Sequence, residues 1–307
     1  MTNNAANKTA RAAVIGLGSM GYGMAQSLKR AGFDVTGFDV AADAVTRFVG
    51  ESGRGASSPA EAATDADIVV SVVVNAAQTD AVLFGAGGAA ETMPQDAVFI
   101  SSATMDPAIA RRLGSKLEAT GRHYLDAPMS GGAARAAKGE LSIMASGSPA
   151  SFAKARPALD AMAIKVYELG DAPGIGAAFK MINQLLAGVH IAAACEAITF
   201  AAKQGLDLAK VYEVITGSAG NSWMFENRVP HVLAGDYTPL SAIEIFVKDL
   251  GIVQDMARTE RYPVPLAAAA LQMYLAAAGA GMGRDDDSSL ARLYAQLSGA
   301  DLPGQRD

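Results

Sequence analysis

Apolar residues follow two rhythms along this chain. In the first half, short apolar runs alternate with segments whose apolar positions recur every third or fourth residue. The runs 12–15, 34–40, 67–75, 97–103, 123–128, 141–146 and 165–170 read as strands. The segments 21–32, 41–52 and 107–120 read as helices, and Ser58, Pro59 and Glu61 mark another helix start with Ser58 as N-cap. The run 67–75 is nearly all β-branched, as in a strand buried on both faces. This alternation predicts an α/β fold with a parallel, doubly wound sheet of the Rossmann type. Ligands of such sheets lie beyond the carboxyl ends of the strands. The turn at 16–21, Asn75, Thr104 and Ser130 belong to that rim.

From residue 171 the rhythm changes. A segment of about thirty residues, 175–204, has no proline and no alternation, and as a helix would span roughly 45 Å. Further helices are expected at 208–217, 222–229, 242–260, 266–280 and 286–298, with no second strand series and no repeat. The expected organisation is a Rossmann-type α/β domain over 11–170 and an all-α domain over 171–298. Residues 1–10 and 299–307 are expected to be mobile tails.

The first strand run leads into Gly16-Leu17-Gly18-Ser19-Met20-Gly21, with the spacing G-x-G-x-x-G between a strand and a helix. The first glycine permits the tight turn, the second lets backbone approach a pyrophosphate, and the third lets helix and strand pack closely. The helix N-terminus offers N–H groups and a positive dipole end to phosphates. Asp39 closes the second strand about 20 residues on, where a carboxylate accepts from ribose hydroxyls. A carboxylate there repels a 2′-phosphate, and no Arg or Lys occupies 40–46, so NAD is expected over NADP. Val73, Val74 and Asn75 end the next long run at the same rim, beside the cofactor.

Composition narrows the partners. The 307 residues carry a net charge of −6, which argues against nucleic acid. Cys195 is the single cysteine, which rules out an intrachain disulfide and suits a reducing cytoplasm. The first residues, MTNNAANKTAR, lack the apolar core of a signal peptide. No apolar run reaches ~18 uninterrupted residues, the richest two being broken by Glu196 and Gln272, so no membrane partner is expected. His123, His190 and His231 are scattered, so no metal is expected either, and His190 on an apolar helix face reads as a core histidine.

Two further stretches carry chemistry. In DAPMSGGAARAAKGE, Ser130, Gly131 and Gly132 follow a strand and precede a helical turn. Consecutive backbone N–H groups with a hydroxyl suit a carboxylate, although a plain glycine turn has the same pattern. Lys180 stands near the start of the long helix among apolar neighbours. Burial among such residues lowers an ammonium pKa from ~10.4 toward neutrality, as a general base requires. A lysine snorkelling to water is the plainer alternative. Asn183 and Gln184 follow one turn later, within reach of substrate hydroxyls. Lys248 is a second lysine near apolar residues, with Asp249 beside it as partner or surface charge.

The glycine turn with Met20, DAPMSGG, the Gly-x-Gly-x-x-x-Lys run at 174–180 and FVKDLG at 246–251 together resemble the β-hydroxyacid dehydrogenase family. The resemblance covers nearly all of 11–298. It implies a Rossmann domain, a helical C-terminal domain and a catalytic lysine at Lys180. It further implies Thr104 and Lys248 at the cofactor, and Ser130, Gly131 and Gly132 on the substrate carboxylate. The family usually has asparagine four residues after the lysine, and this chain has Gln184. That residue, with AGNSWMFENR at 219–228, looks most like the branch oxidising the C2 hydroxyl of the four-carbon acid L-threonate. 3-Hydroxyisobutyrate and tartronate semialdehyde are the alternative substrates. Asn221 and Ser222 join Asn183 and Gln184 as candidates for the extra hydroxyls. Trp223 and Phe225 either line the substrate mouth or pack between helices. A non-catalytic nucleotide-binding module and an imine reductase are the competing readings, and both are disfavoured by Lys180. The alanine-rich helices at 187–202 and 266–280 suggest a homo-oligomer.

Overall fold

The computed structural model describes residues 9–304, so the expectations for 1–8 and 305–307 lie outside the described residues. Two compact units divide the chain, one ending at Lys180 and the other starting at Met181. The first is built on six parallel strands: β1 (Arg11–Ile15), β2 (Asp34–Phe38), β3 (Arg54–Gly55), β4 (Ile68–Ser71), β5 (Val98–Ser101) and β6 (His123–Asp126). Their order is β3-β2-β1-β4-β5-β6. Successive strand residues point to opposite faces. Val14, Val70 and Ile100 therefore pack with Met24 and Leu28 of α1 (Ser19–Arg30) on one face. Ile15, Val69 and Phe99 pack with Leu83 and Leu113 on the other, from α4 (Ala76–Phe84) and α5 (Pro107–Glu118). Between these helices lie α2 (Ala42–Gly50) and α3 (Pro59–Ala63). Ser58 caps α3 through Glu61 N–H, while the Glu61 carboxylate reaches back to Ser57 N–H instead of Ser58.

Two expectations need correction here. The run 67–75 is strand only to Ser71, because Val72 passes against the glycine turn and Asn75 already caps α4 through Gln78 N–H. The segments 141–146 and 165–170 do not extend the main sheet. They form β8 (Leu141–Ala145) and β9 (Ala163–Glu168), paired with each other in parallel; β7 (Met129–Ser130) joins β8 antiparallel to complete a separate small sheet. Helices α6 (Gly132–Lys138) and α7 (Pro149–Met162) connect these strands.

The second unit is helical. Helix α8 (Ile175–Lys203) starts in the first unit and is followed by α9 (Leu208–Thr216), α10 (Trp223–Ala234), α11 (Ile243–Glu260), α12 (Pro265–Ala277) and α13 (Leu290–Ser298). Helix α10 runs past the expected end at 229 and carries Pro230 inside it. Proline removes the N–H that would serve the carbonyl four residues back; the hydroxyl of Tyr212 donates to that Glu226 carbonyl instead, at 3.1 Å. The core gathers Ile191, Ile198, Leu250, Tyr274 and Leu290. The Tyr274 ring stacks on Phe246 and its hydroxyl donates to Gly188 O. A buried ion pair joins Arg228 of α10 to Asp287, with Nε 2.5 Å from Oδ1 and Nη2 3.1 Å from Oδ2. Residues 299–304, expected within a mobile tail, lay Ala300 and Leu302 into this unit. Cys195 is buried, His190 is exposed instead of core, and burial pushes the Cys195 thiol far up from its usual range. By length and composition alone, the helices Ile175–Lys203 and Pro265–Met282 reach what a membrane span needs, which the interrupted runs in the sequence did not suggest. Half of the most apolar 18-residue stretch of the first is buried inside the protein.

Candidate active site

The glycine turn has the form its spacing predicts. Gly16 takes φ +98°, and a Cβ there would sit 2.3 Å from Val72 O. A Cβ on Gly21 would sit 1.9 Å from Gly16 O, so helix and turn touch backbone to backbone. Around Gly18 a Cβ would meet nothing within 4 Å, and no side chain caps α1 behind it. Bare backbone, open space and an uncapped helix N-terminus suit a pyrophosphate. Leu17, Ser19 and Met20 complete the turn. Asp39 directly follows β2 and accepts from Leu17 N–H at 2.6 Å and from Ala41 N–H at 2.8 Å. The carboxylate thus braces the turn, a role the spacing alone did not reveal. NAD fits these residues.

A cofactor prediction follows. The wild type is expected to work better with NAD than with NADP. Asp39→Ala should narrow that preference and weaken NAD by about tenfold or more, because two backbone donors lose a charged acceptor. Catalytic efficiencies with both cofactors and NAD titrations check this; a wild type preferring NADP would reverse the assignment.

Beyond the main sheet, Val73 is partly buried, Val74 is exposed, and Asn75 is engaged in its helix cap. Thr104 lies partly buried on the segment between β5 and α5. Ser130 ends β7, paired with Ser142. Gly131 and Gly132 both have positive φ, at +138° and +75°, which favour glycine. No side chain caps α6 behind them, and a Cβ on Gly132 would meet nothing within 4 Å. Lys180, on α8, is only 8% exposed, and its Nζ donates to Met129 O at 2.8 Å. The structure therefore brings the lysine beside the 130–132 turn.

Asn183, Gln184 and Lys248 form a chain of contacts centred on Asp249. The Asn183 amide donates to Gln184 Oε1 at 2.9 Å, and Gln184 Nε2 donates to Asp249 Oδ2 at 2.5 Å. Lys248 Nζ pairs with Asp249 Oδ1 at 2.5 Å. The extra methylene of Gln184 carries its amide to this buried carboxylate. Asn221 and Ser222 have local partners: Ser222 caps α10 through Phe225 N–H, and Asn221 donates to Thr216 O and Glu226. Phe225 is buried and stacked on Tyr212, whereas Trp223 is about half exposed.

Asp126, three residues before Met129, is a buried acid that sequence reasoning passed over. It is fully buried at the end of β6, and burial pushes its carboxyl up to about 6 against the N–H groups of Ala177 and Gly174, which favour the charged form. It opens the DAPMSGG motif, but its contacts could not be read there, since its partners lie about fifty residues on.

Fold and turn define a dinucleotide-binding protein. Comparison with known proteins narrows the class. Residues 11–170 match the model of the NAD binding domain of 6-phosphogluconate dehydrogenase, and 174–294 that of the NAD-binding region of NADP-dependent 3-hydroxyisobutyrate dehydrogenase. An L-threonate dehydrogenase of Cupriavidus necator is 53% identical, over 96% of this chain and 98% of its own. The L-threonate dehydrogenase of Escherichia coli K12 is 47% identical, over 95% and 96%. Among solved structures, a 3-hydroxyisobutyrate dehydrogenase from Salmonella typhimurium superimposes with a TM-score of 0.88 at 48% identity, covering 92% of this chain and 99% of that one. The chain belongs to the β-hydroxyacid dehydrogenase family. It is an NAD-binding oxidoreductase acting on CH–OH groups.

Proposed function

We propose that the protein oxidises L-threonate at C2 to the 2-oxo acid, with NAD as hydride acceptor. One observation carries the reading: Lys180 Nζ sits 2.8 Å from the carbonyl of Met129, the residue before the Ser130-Gly131-Gly132 turn. A carboxylate accepting from that turn brings its α-hydroxyl to the amine. Lys180, as neutral amine, takes the hydroxyl proton while the C2 hydrogen leaves as hydride; in reduction it returns the proton. NAD, when bound, supplies the nicotinamide carbon that accepts the hydride. The 16–21 turn and Asp39 hold the dinucleotide, aided by Val73, Val74, Asn75, Thr104 and Lys248. Asn183, Gln184, Asn221 and Ser222 serve the remaining hydroxyls. Residues 11–170 act as the cofactor domain and 171–298 as the substrate and oligomer domain.

Two relatives named as L-threonate dehydrogenases, 53% and 47% identical, support this substrate. Gln184, where the family usually has asparagine, points the same way. The Salmonella structure's name favours 3-hydroxyisobutyrate as the second reading, with tartronate semialdehyde behind it. The enzyme works in the cytoplasm as a homo-oligomer; the exposed apolar residues Phe179, Ile182, Leu186 and Phe200 on α8 and Leu266 and Leu275 on α12 support the oligomer. The negative net charge of −6 supports neither nucleic acid nor an anionic membrane as partner.

A panel of hydroxy acids with NAD tests the substrate. Turnover of L-threonate is expected to exceed that of 3-hydroxyisobutyrate. Good oxidation of 3-hydroxyisobutyrate with none of L-threonate would give the second reading.

A further inference from the structure

Helix α8 is capped by side chains distant in sequence. Its first residue is Ile175, so the N–H groups of Gly176 and Ala177 have no partner within the helix. Asp126 Oδ2 accepts from Gly174 N–H at 2.9 Å and from Ala177 N–H at 2.8 Å. Ser146 Oγ accepts from Gly176 N–H at 2.9 Å and lies 3.4 Å from the same Asp126 oxygen. Asp126 and Ser146 also exchange backbone hydrogen bonds, at 3.0 and 2.8 Å. Both residues are fully buried. A Cβ on Gly176 would lie 2.3 Å from Met144 O and 3.1 Å from Asp126 O, so the helix start rests directly on the ends of β6 and β8.

The cap bears on the lysine. Ala177 stands three residues before Lys180 on one helix, so fixing its N–H fixes the angular position of the Lys180 side chain. Met129, three residues after Asp126, accepts from Lys180 Nζ. The short segment 126–129 thus grips both the turn below the lysine and the lysine's own nitrogen. The second carboxylate oxygen, Asp126 Oδ1, is buried and has no hydrogen-bond partner among the described residues. A buried acid with one oxygen unserved is a poor choice for stability alone, since a neutral cap satisfies the same donors.

We infer that Asp126 is a positioning residue for Lys180, holding the first turn of α8 so that the amine stays over the 130–132 turn. The inference rests on the proposed role of Lys180. Misplacing a reacting group by about 1 Å costs up to about 10²-fold in rate.

The test is a double-mutant cycle in the full-length protein, with L-threonate and NAD. Asp126→Asn is expected to lower kcat about 10- to 100-fold with NAD affinity within about threefold. In the Lys180→Ala background, the same change should alter the residual rate by less than about threefold, because the group it positions is gone. Ser146→Ala, a milder change to the same cap, should lower kcat in the same non-additive way and serves if Asp126→Asn does not fold. Unchanged kcat in the variant that folds, or an equal loss in both backgrounds, overturns the inference and leaves Asp126 a structural cap. Near-normal turnover by Lys180→Ala itself removes the lysine's proposed role, and this inference with it.

Discussion

Lys180→Ala is expected to lower turnover by about 10²–10⁴-fold, the usual worth of a positioned general base. That corresponds to about 3–5 kcal/mol in the barrier. The reason lies in where the amine is held: Nζ bonds Met129 O, next to the glycine pair whose N–H groups suit a carboxylate. NAD affinity should change little, because the glycine turn and Asp39 are braced by their own backbone contacts. Lys180→Arg should fail as well. A guanidinium keeps the charge but does not release its proton near neutral pH. Turnover and NAD binding on both variants check this. An arginine variant with near-normal turnover would make Lys180 a fixed positive charge and remove proton transfer from its role.

Arg228→Met is expected to destabilise the helical unit by about 3–5 kcal/mol. Asp287 is fully buried, and its two oxygens accept from Arg228 Nε and Nη2. Without the guanidinium, the carboxylate loses its counter-charge and must take up a proton or open a path to water. Its carboxyl is already pushed up to about 6 by burial, held down only by Arg228 and a hydroxyl bond from Ser241. Neighbouring Asp286 is committed elsewhere, accepting from Leu240, Ser241 and Ser288. Removing both members, as Arg228→Met with Asp287→Leu, should recover much of the loss, since no buried charge then stands alone. Denaturant unfolding of the single and double variants measures this. A single variant within about 1 kcal/mol of wild type would mean that water reaches Asp287.

Legibility differed between local and distant relations. The glycine turn could be read because its strand, spacing and helix are contiguous. Most helices were read within a few residues, since caps such as Asp106 and Pro107 are local signals. The membership of β8 and β9 in a second sheet could not be read, because pairing depends on partners and not on composition. The apolar run after Ser71 looked like more strand, yet the strand ends there, with Val72 N–H making a last bond to Ile15 O beside the glycine turn. The helix expected at 222–229 continues through Pro230, where the Tyr212 hydroxyl serves the carbonyl that the proline cannot. For the site, Lys180 and the 130–132 turn were legible as motifs. The engagement of Gln184 with Asp249, and of Asp126 with α8, joins residues about 50 to 65 positions apart. Each side chain alone has a bland reading.

The lone buried cysteine makes this chain a convenient host for site-selective labelling. Its thiol is shielded, and burial keeps it from ionising to the reactive thiolate. A cysteine introduced at an exposed position, such as Asp43 on α2 or Glu213 on α9, will therefore be the sole maleimide target in the folded protein. Introduced together, the two accept a dye or spin-label pair with no native background thiol to mutate away.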